Sequence, residues 1–294
     1  MGAQGIRGTK RSKQGGIDVP ELPEVETVRR SLERSVSGKT VSSVKVYHPK
    51  MIRGMEVAPF ADALHQERIE RVERRGKFLL FDFDRFYLVS HLRMEGKYFP
   101  YPQPVERDKH THVVFRFTDG SELHYNDVRK FGTMELRDKQ TAMQTAPLAQ
   151  LEREPFDPEF TAEVLAENLI RKKRSPIKTA LLDQSIFLGL GNIYVDETLH
   201  AARVHPLTKA GALTLDDISR IHQAGVNVLR QAVEAGGSTI RSYVSPSGKG
   251  EFQLQLAVYG QKGEPCPRCG TAIEKIKVGG RGTHFCPTCQ QVAL

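Results

Sequence analysis

Pro20-Glu21-Leu22-Pro23-Glu24-Val25-Glu26-Thr27-Val28-Arg29-Arg30 opens the structured part of this chain. From Pro23 to about Ser35 the apolar positions Val25, Val28 and Leu32 fall at helical spacing, and Pro23 and Glu24 suit a helix start. Upstream, MGAQGIRGTKRSKQGGID is rich in Gly, Lys and Arg and has no periodicity. With Val19 it reads as a disordered basic leader over residues 1–19. It lacks the apolar stretch of a secretory signal, and no run reaches the 18 or more apolar residues of a membrane span, so a cytoplasmic protein is expected.

Working outward, short β-rich runs recur at Val41 to Tyr47, Phe78 to Phe83, Tyr87 to Leu92, Val113 to Phe117, Glu122 to Tyr125 and Thr133 to Leu136. Several are bounded by Gly or Asp-Gly turns, the pattern of a β-sandwich or barrel. After the Pro-bearing segment Pro147 to Pro158 the period becomes helical, with candidates at residues 161–172, 176–184, 192–201 and 215–235. In the last of these Thr214 is a candidate N-cap and Gly236-Gly237 a stop. A length of 294 residues favours more than one domain. The chain carries 43 Lys and Arg against 35 Asp and Glu, a net charge of +8. Such a balance suits a polyanionic partner but speaks to non-specific binding rather than to fold.

All four cysteines lie near the C-terminus, as Cys266-x2-Cys269 and Cys286-x2-Cys289. Two such knuckles supply the four thiolates of one structural Zn2+, a tetrahedral ion that needs no open position when its role is structural. Disulfides or free thiols are the competing readings, disfavoured without an export signal. Between the knuckles, Gly279-Gly280-Arg281-Gly282-Thr283 forms a small-residue turn able to present Arg281 outward.

The Pro20 to Arg30 run resembles the start of formamidopyrimidine-DNA glycosylases, in which removal of the initiator Met leaves proline first. The resemblance extends to about Gln291 through Arg75-Gly76-Lys77-Phe78, His91-Leu92-Arg93-Met94-Glu95-Gly96, Asp127-Val128-Arg129-Lys130-Phe131-Gly132 and Gly189-Leu190-Gly191-Asn192-Ile193-Tyr194. Leu22 favours this family over the related endonuclease VIII type. It implies an α+β multidomain fold: an N-terminal β-sandwich with a nucleophile-bearing helix (20–150), a helical helix-two-turn-helix domain with a lesion-capping loop (151–260) and a C-terminal zinc finger (261–294). It also implies a monomer that removes 8-oxoguanine opposite cytosine and formamidopyrimidines from damaged double-stranded DNA, then cuts the strand by β,δ-elimination.

By the resemblance Pro20 is the nucleophile, Glu21 a general acid/base near the sugar oxygen and Lys77 an assistant at the lesion and its phosphate. An α-amino group with pKa near 8 is roughly a third unprotonated at pH 7.5, against about a thousandth for lysine. The secondary amine yields a permanently charged iminium, an electron sink for eliminating the flanking phosphates. Glu21 read from its position alone is a helix-terminal charge. The leader departs from the family pattern, because an acylated Pro20 nitrogen has no basic lone pair. Valine stands where Met is expected, so Val19 is read as a GTG start codon.

Flipping a nucleotide leaves a gap to be filled. The resemblance assigns this to Met94, Arg129 and Phe131, although lone apolar residues at strand ends are more often core. Gly96 and Gly132 beside them read as exposed turns. Phosphate contacts fall to Lys77, His110, Asn192, Tyr259 and Arg281. Ser238, the Ser242 backbone and Glu95 are the candidate readers of the oxidised purine. Two other readings remain: a lesion-binding protein without catalysis, which a blocked Pro20 produces, and a general zinc-ribbon nucleic-acid module, which leaves the N-terminal run unexplained.

Overall fold

The computed structural model describes residues 19–238 and 255–291. Helix α1 (Leu22–Val36) buries Val25, Val28, Leu32 and Val36 in a first core, while Leu22 at its start belongs to a second. One helix therefore spans two apolar clusters, and its N-terminus sits where they meet.

The first core lies inside a β-sandwich. Its elements are β1 (Val41–Val46), β2 (Ile52–Arg53), α2 (Val57–Leu64), β3 (Arg71–Arg75), β4 (Phe78–Asp82), β5 (Phe86–His91), β6 (Lys97–Tyr101), β7 (Thr111–Phe117), β8 (Glu122–Asn126) and β9 (Thr133–Asp138). They form a four-stranded sheet, β1-β7-β8-β6, and a five-stranded sheet, β2-β9-β5-β4-β3. All ladders are antiparallel except β2 with β9.

Strands β3 and β6 escape the sequence reading for identifiable reasons. Both strands are sheet edges. β3 buries only Val72 among charged neighbours, so alternation is faint. β6 contains Pro100, which an edge strand tolerates because one side of its backbone needs no partner.

The second core is helical: α3 (Ala162–Ile170), α4 (Ile177–Leu181), α5 (Asn192–Ala202) and α6 (Leu215–Glu234). The segment expected to be helical to residue 184 leaves the helix after Leu181, and successive turns carry it to Gly191 before α5 begins. The Thr214 hydroxyl accepts from the Asp217 N–H at 3.1 Å, and Asp217 accepts from the Thr214 N–H at 2.9 Å. This reciprocal pair satisfies two terminal donors of α6. Gly236 and Gly237, with φ of 76° and 82°, take the chain out of the helix.

Strands β10 (Glu274–Val278) and β11 (Arg281–Phe285) make the finger's hairpin, closed by Gly279 and Gly280 at φ of 54° and 80°. Positive φ at both central residues is what a two-residue hairpin turn demands. Among the described residues the finger's own apolar cluster is Val258, Cys266, Ile273 and Cys286, with Ala257 and Cys289 against it. So small a core needs a metal to hold it. Among the described residues no helix is long and apolar enough to cross a membrane.

Candidate active site and nucleic-acid interface

Pro20 is buried just ahead of α1. Glu21 occupies the N-cap position of α1, but its carboxylate reaches across to α5. It accepts from the N–H groups of Gly191 at 2.6 Å, Ile193 at 2.8 Å and Tyr194 at 3.3 Å. It is therefore a helix-terminal charge on a helix 170 residues away in sequence. Gly191 permits the approach, because a Cβ there would lie 2.3 Å from the Glu21 carboxyl carbon.

Lys77 arrives from the β3–β4 turn and donates to the Leu190 carbonyl at 2.7 Å. Gly76, at φ of 56°, lets that turn press on the helical domain, since a Cβ would come within 2.5 Å of Leu188. Arg74 braces the turn, bonding Glu26 at 3.1 Å and Glu154 at 2.8 Å. Burial pushes the Glu21 carboxyl up to about 7, with the Lys77 ammonium opposing and Glu24 adding to the rise. Burial also depresses Lys77, opposed by Glu21 and Glu24 and reinforced by Arg281. A carboxyl poised near neutrality both gives and takes a proton at physiological pH.

Glu24 ties the site together. It accepts from the Glu21 N–H at 2.9 Å, the Tyr194 hydroxyl at 2.6 Å, and the Ser238 N–H and hydroxyl at 2.9 and 2.8 Å. Ser238 is buried, its hydroxyl directed at Glu24. That placement differs from the expectation of a base-reading side chain: Ser238 is anchored to Glu24. Ser242 lies outside the described residues, and Glu95 is half-buried on the loop before β6.

Met94 and Phe131 occupy two adjacent turns. Each follows a residue in the left-handed region, Arg93 at φ of 54° and Lys130 at 60°. Phe131 is 51 % exposed, an unusual state for a large apolar side chain, and Met94 is half-buried. The Arg129 guanidinium lies 5.0 Å from the Phe131 ring centroid. Asp127 shapes this loop by accepting from the N–H groups of Arg129, Phe131 and Gly132 at 2.9, 2.9 and 2.8 Å.

Reading Gly96 and Gly132 as exposed turns is corrected: both are buried. A Cβ on them would meet the Tyr125 hydroxyl at 2.1 and 1.7 Å. They are glycines because both loops rest on the same tyrosine hydroxyl. His110 is half-buried in the neighbouring turn, where its carbonyl accepts from the Asp127 N–H at 2.9 Å.

Asn192, the first residue of α5, donates to the Gly282 carbonyl at 3.2 Å, next to exposed Arg281. The buried Lys178–Asp196 pair, 2.7 Å apart, holds the same hairpin: Lys178 donates to the Gly282 carbonyl and Asp196 accepts from the His284 N–H. Glu197 accepts from the N–H groups of Ala257, Val258 and Tyr259 at 2.9, 3.0 and 2.8 Å, and the Tyr259 ring meets His284 edge-on. Two consecutive carboxylates of α5, Asp196 and Glu197, thus seat the hairpin that bears Arg281 and the backbone of Tyr259.

His91 stands among the motif residues with no role that the sequence signals. Its Nδ1 accepts from the Arg93 N–H at 2.9 Å, and its ring packs edge-on against Phe78. Burial, with Arg93 and Lys77 adding, pushes it down to about 3, so it is a neutral ring with its proton on Nε2. It lines a cavity of about 990 Å³ between the sandwich and the helical domain, with Arg93, Arg171 and Gln184. Neither Pro20 nor Glu21 lines that cavity.

The four cysteine sulfurs lie within 4.8 Å of one another, with Cys266–Cys289 at 4.0 Å and Cys269–Cys286 at 3.4 Å. A tetrahedral zinc with Zn–S of about 2.3 Å requires sulfurs about 3.8 Å apart. The cluster fits one such ion.

Family models match in three successive blocks. These are a formamidopyrimidine-DNA glycosylase N-terminal domain over residues 19–134, a formamidopyrimidine-DNA glycosylase H2TH domain over 151–244, and a zinc finger found in FPG and IleRS over 263–292. The chain belongs to the formamidopyrimidine-DNA glycosylase family. It is 90% identical over 276 residues to a formamidopyrimidine-DNA glycosylase of Exiguobacterium sibiricum, covering 94% of this chain and 100% of that relative. Among solved structures it resembles a complex of the Lactococcus lactis Fpg with abasic-site DNA, at 43% identity and a TM-score of 0.87. It also resembles MutM with carbocyclic 8-oxo-G DNA, at 43% identity and 0.86. Each match covers 92% of this chain and 100% of the other.

Proposed function

We propose that this family member is a bifunctional DNA glycosylase and lyase that excises oxidised purines from duplex DNA through the secondary amine of Pro20. The observation that carries this reading is the Glu21 carboxyl, buried beside Pro20 and raised to about 7, with Lys77 close enough to oppose the rise. The Pro20 lone pair attacks C1′ and the C1′–O bond of the sugar ring opens, the ring oxygen taking the proton of Glu21. The proton on the attacking nitrogen passes to the damaged base, which leaves with the glycosidic electron pair, and the resulting iminium, after loss of a C2′ proton, drives loss of the 3′ and then the 5′ phosphate.

The domain assignment is 20–150, 151–260 and 261–294, with Val19 as the start codon, read as Met and then trimmed to free Pro20. Two findings support that start: the N-terminal family model begins at residue 19, and the whole Exiguobacterium relative aligns with 276 of the chain's 294 residues. Met94, Arg129 and Phe131 fill the gap left by the flipped nucleotide. Lys77, His110, Asn192, Tyr259 and Arg281 take phosphates, with Glu95 and Ser242 nearest the lesion. The protein acts as a monomer in the cytoplasm.

The test is a duplex with a single 8-oxoguanine opposite cytosine, its products resolved by gel. Excision with phosphates on both ends of the gap is expected, and an aldehyde-terminated 3′ end in place of a phosphate overturns the second elimination. Arg281→Ala is expected to weaken duplex binding and to lower the slope of log affinity against log salt by about 1, because each phosphate contact releases condensed counterions. An unchanged slope removes Arg281 from the phosphate contacts.

A further inference from the structure

Helix α5 touches the zinc cluster itself. His200, near its C-terminal end, places Nε2 3.4 Å from the Cys266 sulfur. Both residues are buried, at 4% and 2% exposure, where a low local dielectric strengthens a hydrogen bond. The contact is reinforced: Arg268 of the same knuckle donates to the His200 carbonyl at 3.1 Å, near the negative end of the helix dipole. Beyond the helix, Gln290 of the other knuckle donates to the Val204 carbonyl at 2.9 Å and accepts from the Cys286 N–H at 2.9 Å.

A thiolate that ligates zinc has lost its proton and can only accept. A bond to it requires the imidazole to carry its hydrogen on Nε2. We propose that His200 is an outer ligand of the zinc site, a positioning residue whose Nε2–H donates to the Cys266 thiolate and slows loss of the ion. Groups that bond to a ligand atom orient it and temper its charge, and their loss commonly costs about 10–100-fold in metal affinity. This outer ligand comes from the helical domain and not from the finger. α5 carries Asn192 at one end and His200 at the other, so the helix that supports the Arg281 hairpin also guards the metal that folds it.

The test uses the full zinc-loaded protein. Histidine-nitrogen NMR on the unmutated chain is expected to give a neutral His200 protonated on Nε2; a ring protonated on Nδ1 alone overturns the proposal without any variant. His200→Phe keeps a buried ring of similar size but has no donor. It is expected to release zinc to a chelator about tenfold faster. In cobalt-substituted protein its thiolate-to-metal charge-transfer band should move to lower energy, because an unbonded thiolate gives up its electrons more readily. His200→Gln, whose amide nitrogen reaches the Nε2 position, should restore both readouts. Parental release and an unmoved band in His200→Phe overturn the assignment, as does a Gln variant no better than Phe, which reduces His200 to packing.

Discussion

A chain whose first residue is Pro20 is expected to form a borohydride-trapped covalent adduct with lesion-bearing duplex, and the same chain still carrying residues 1–19 is expected to form none. The difference is all-or-none because it is electronic. In the Val19–Pro20 peptide the nitrogen lone pair is delocalised into the carbonyl and is not basic. Freed, the same nitrogen is a secondary amine with a large neutral fraction near pH 7.5. Denaturing gels of both forms with labelled 8-oxoguanine duplex read the result directly. An adduct from the leader-bearing form moves the nucleophile to another residue. Tight, lesion-selective binding with no adduct from either form makes this a recognition protein. Equal affinity for damaged and undamaged duplex reduces it to a general nucleic-acid binder.

Glu21→Gln is expected to slow base excision by about 10²- to 10⁴-fold, the range general acid catalysis supplies. Lesion binding should change far less, since Glu21 faces backbone N–H groups of α5 rather than the interface. The pH profile is the sharper measurement. Glu21 is active while protonated, so its contribution is present below its raised value of about 7 and fades above it. The Pro20 amine acts in the opposite sense, gaining its neutral form as pH rises toward about 8. Their product is a narrow bell with its maximum between the two. In Glu21→Gln the alkaline limb should vanish, leaving a rate that climbs with pH and levels off. A fall at high pH that persists in the variant removes Glu21 as the proton donor. The Gln amide also turns a donor toward backbone N–H groups, so thermal unfolding of the variant should be measured alongside.

Much of the architecture is legible in local patterns. Val25, Val28 and Leu32 specify the face of α1, Thr214 announces the start of α6, and the cysteine spacing specifies a metal site. Edge elements are less legible. β3 has one buried residue and β6 contains a proline, because half of an edge strand's backbone faces no partner. The roles of Gly96 and Gly132 were hidden for another reason. Nothing near them in sequence signals that the Tyr125 hydroxyl occupies the space a side chain would need. His91 and His200 stand in the sequence as bare histidines, and only their ring partners distinguish them from surface ones.

By itself the sequence determined which chemistry is available: a proline able to become a terminal amine, a carboxylate beside it, four thiolates at the spacing of two knuckles and the amphipathic helices that carry them. These follow from covalent identity and short-range periodicity. Only the tertiary structure decided that Glu21 titrates near neutrality, that Ser238 anchors rather than faces outward, and that the finger leans on α5 through Asp196, Glu197 and His200. Proton affinity and side-chain direction depend on desolvation and on charges delivered from far along the chain, and those distances come into being only when the two cores close around the start of α1.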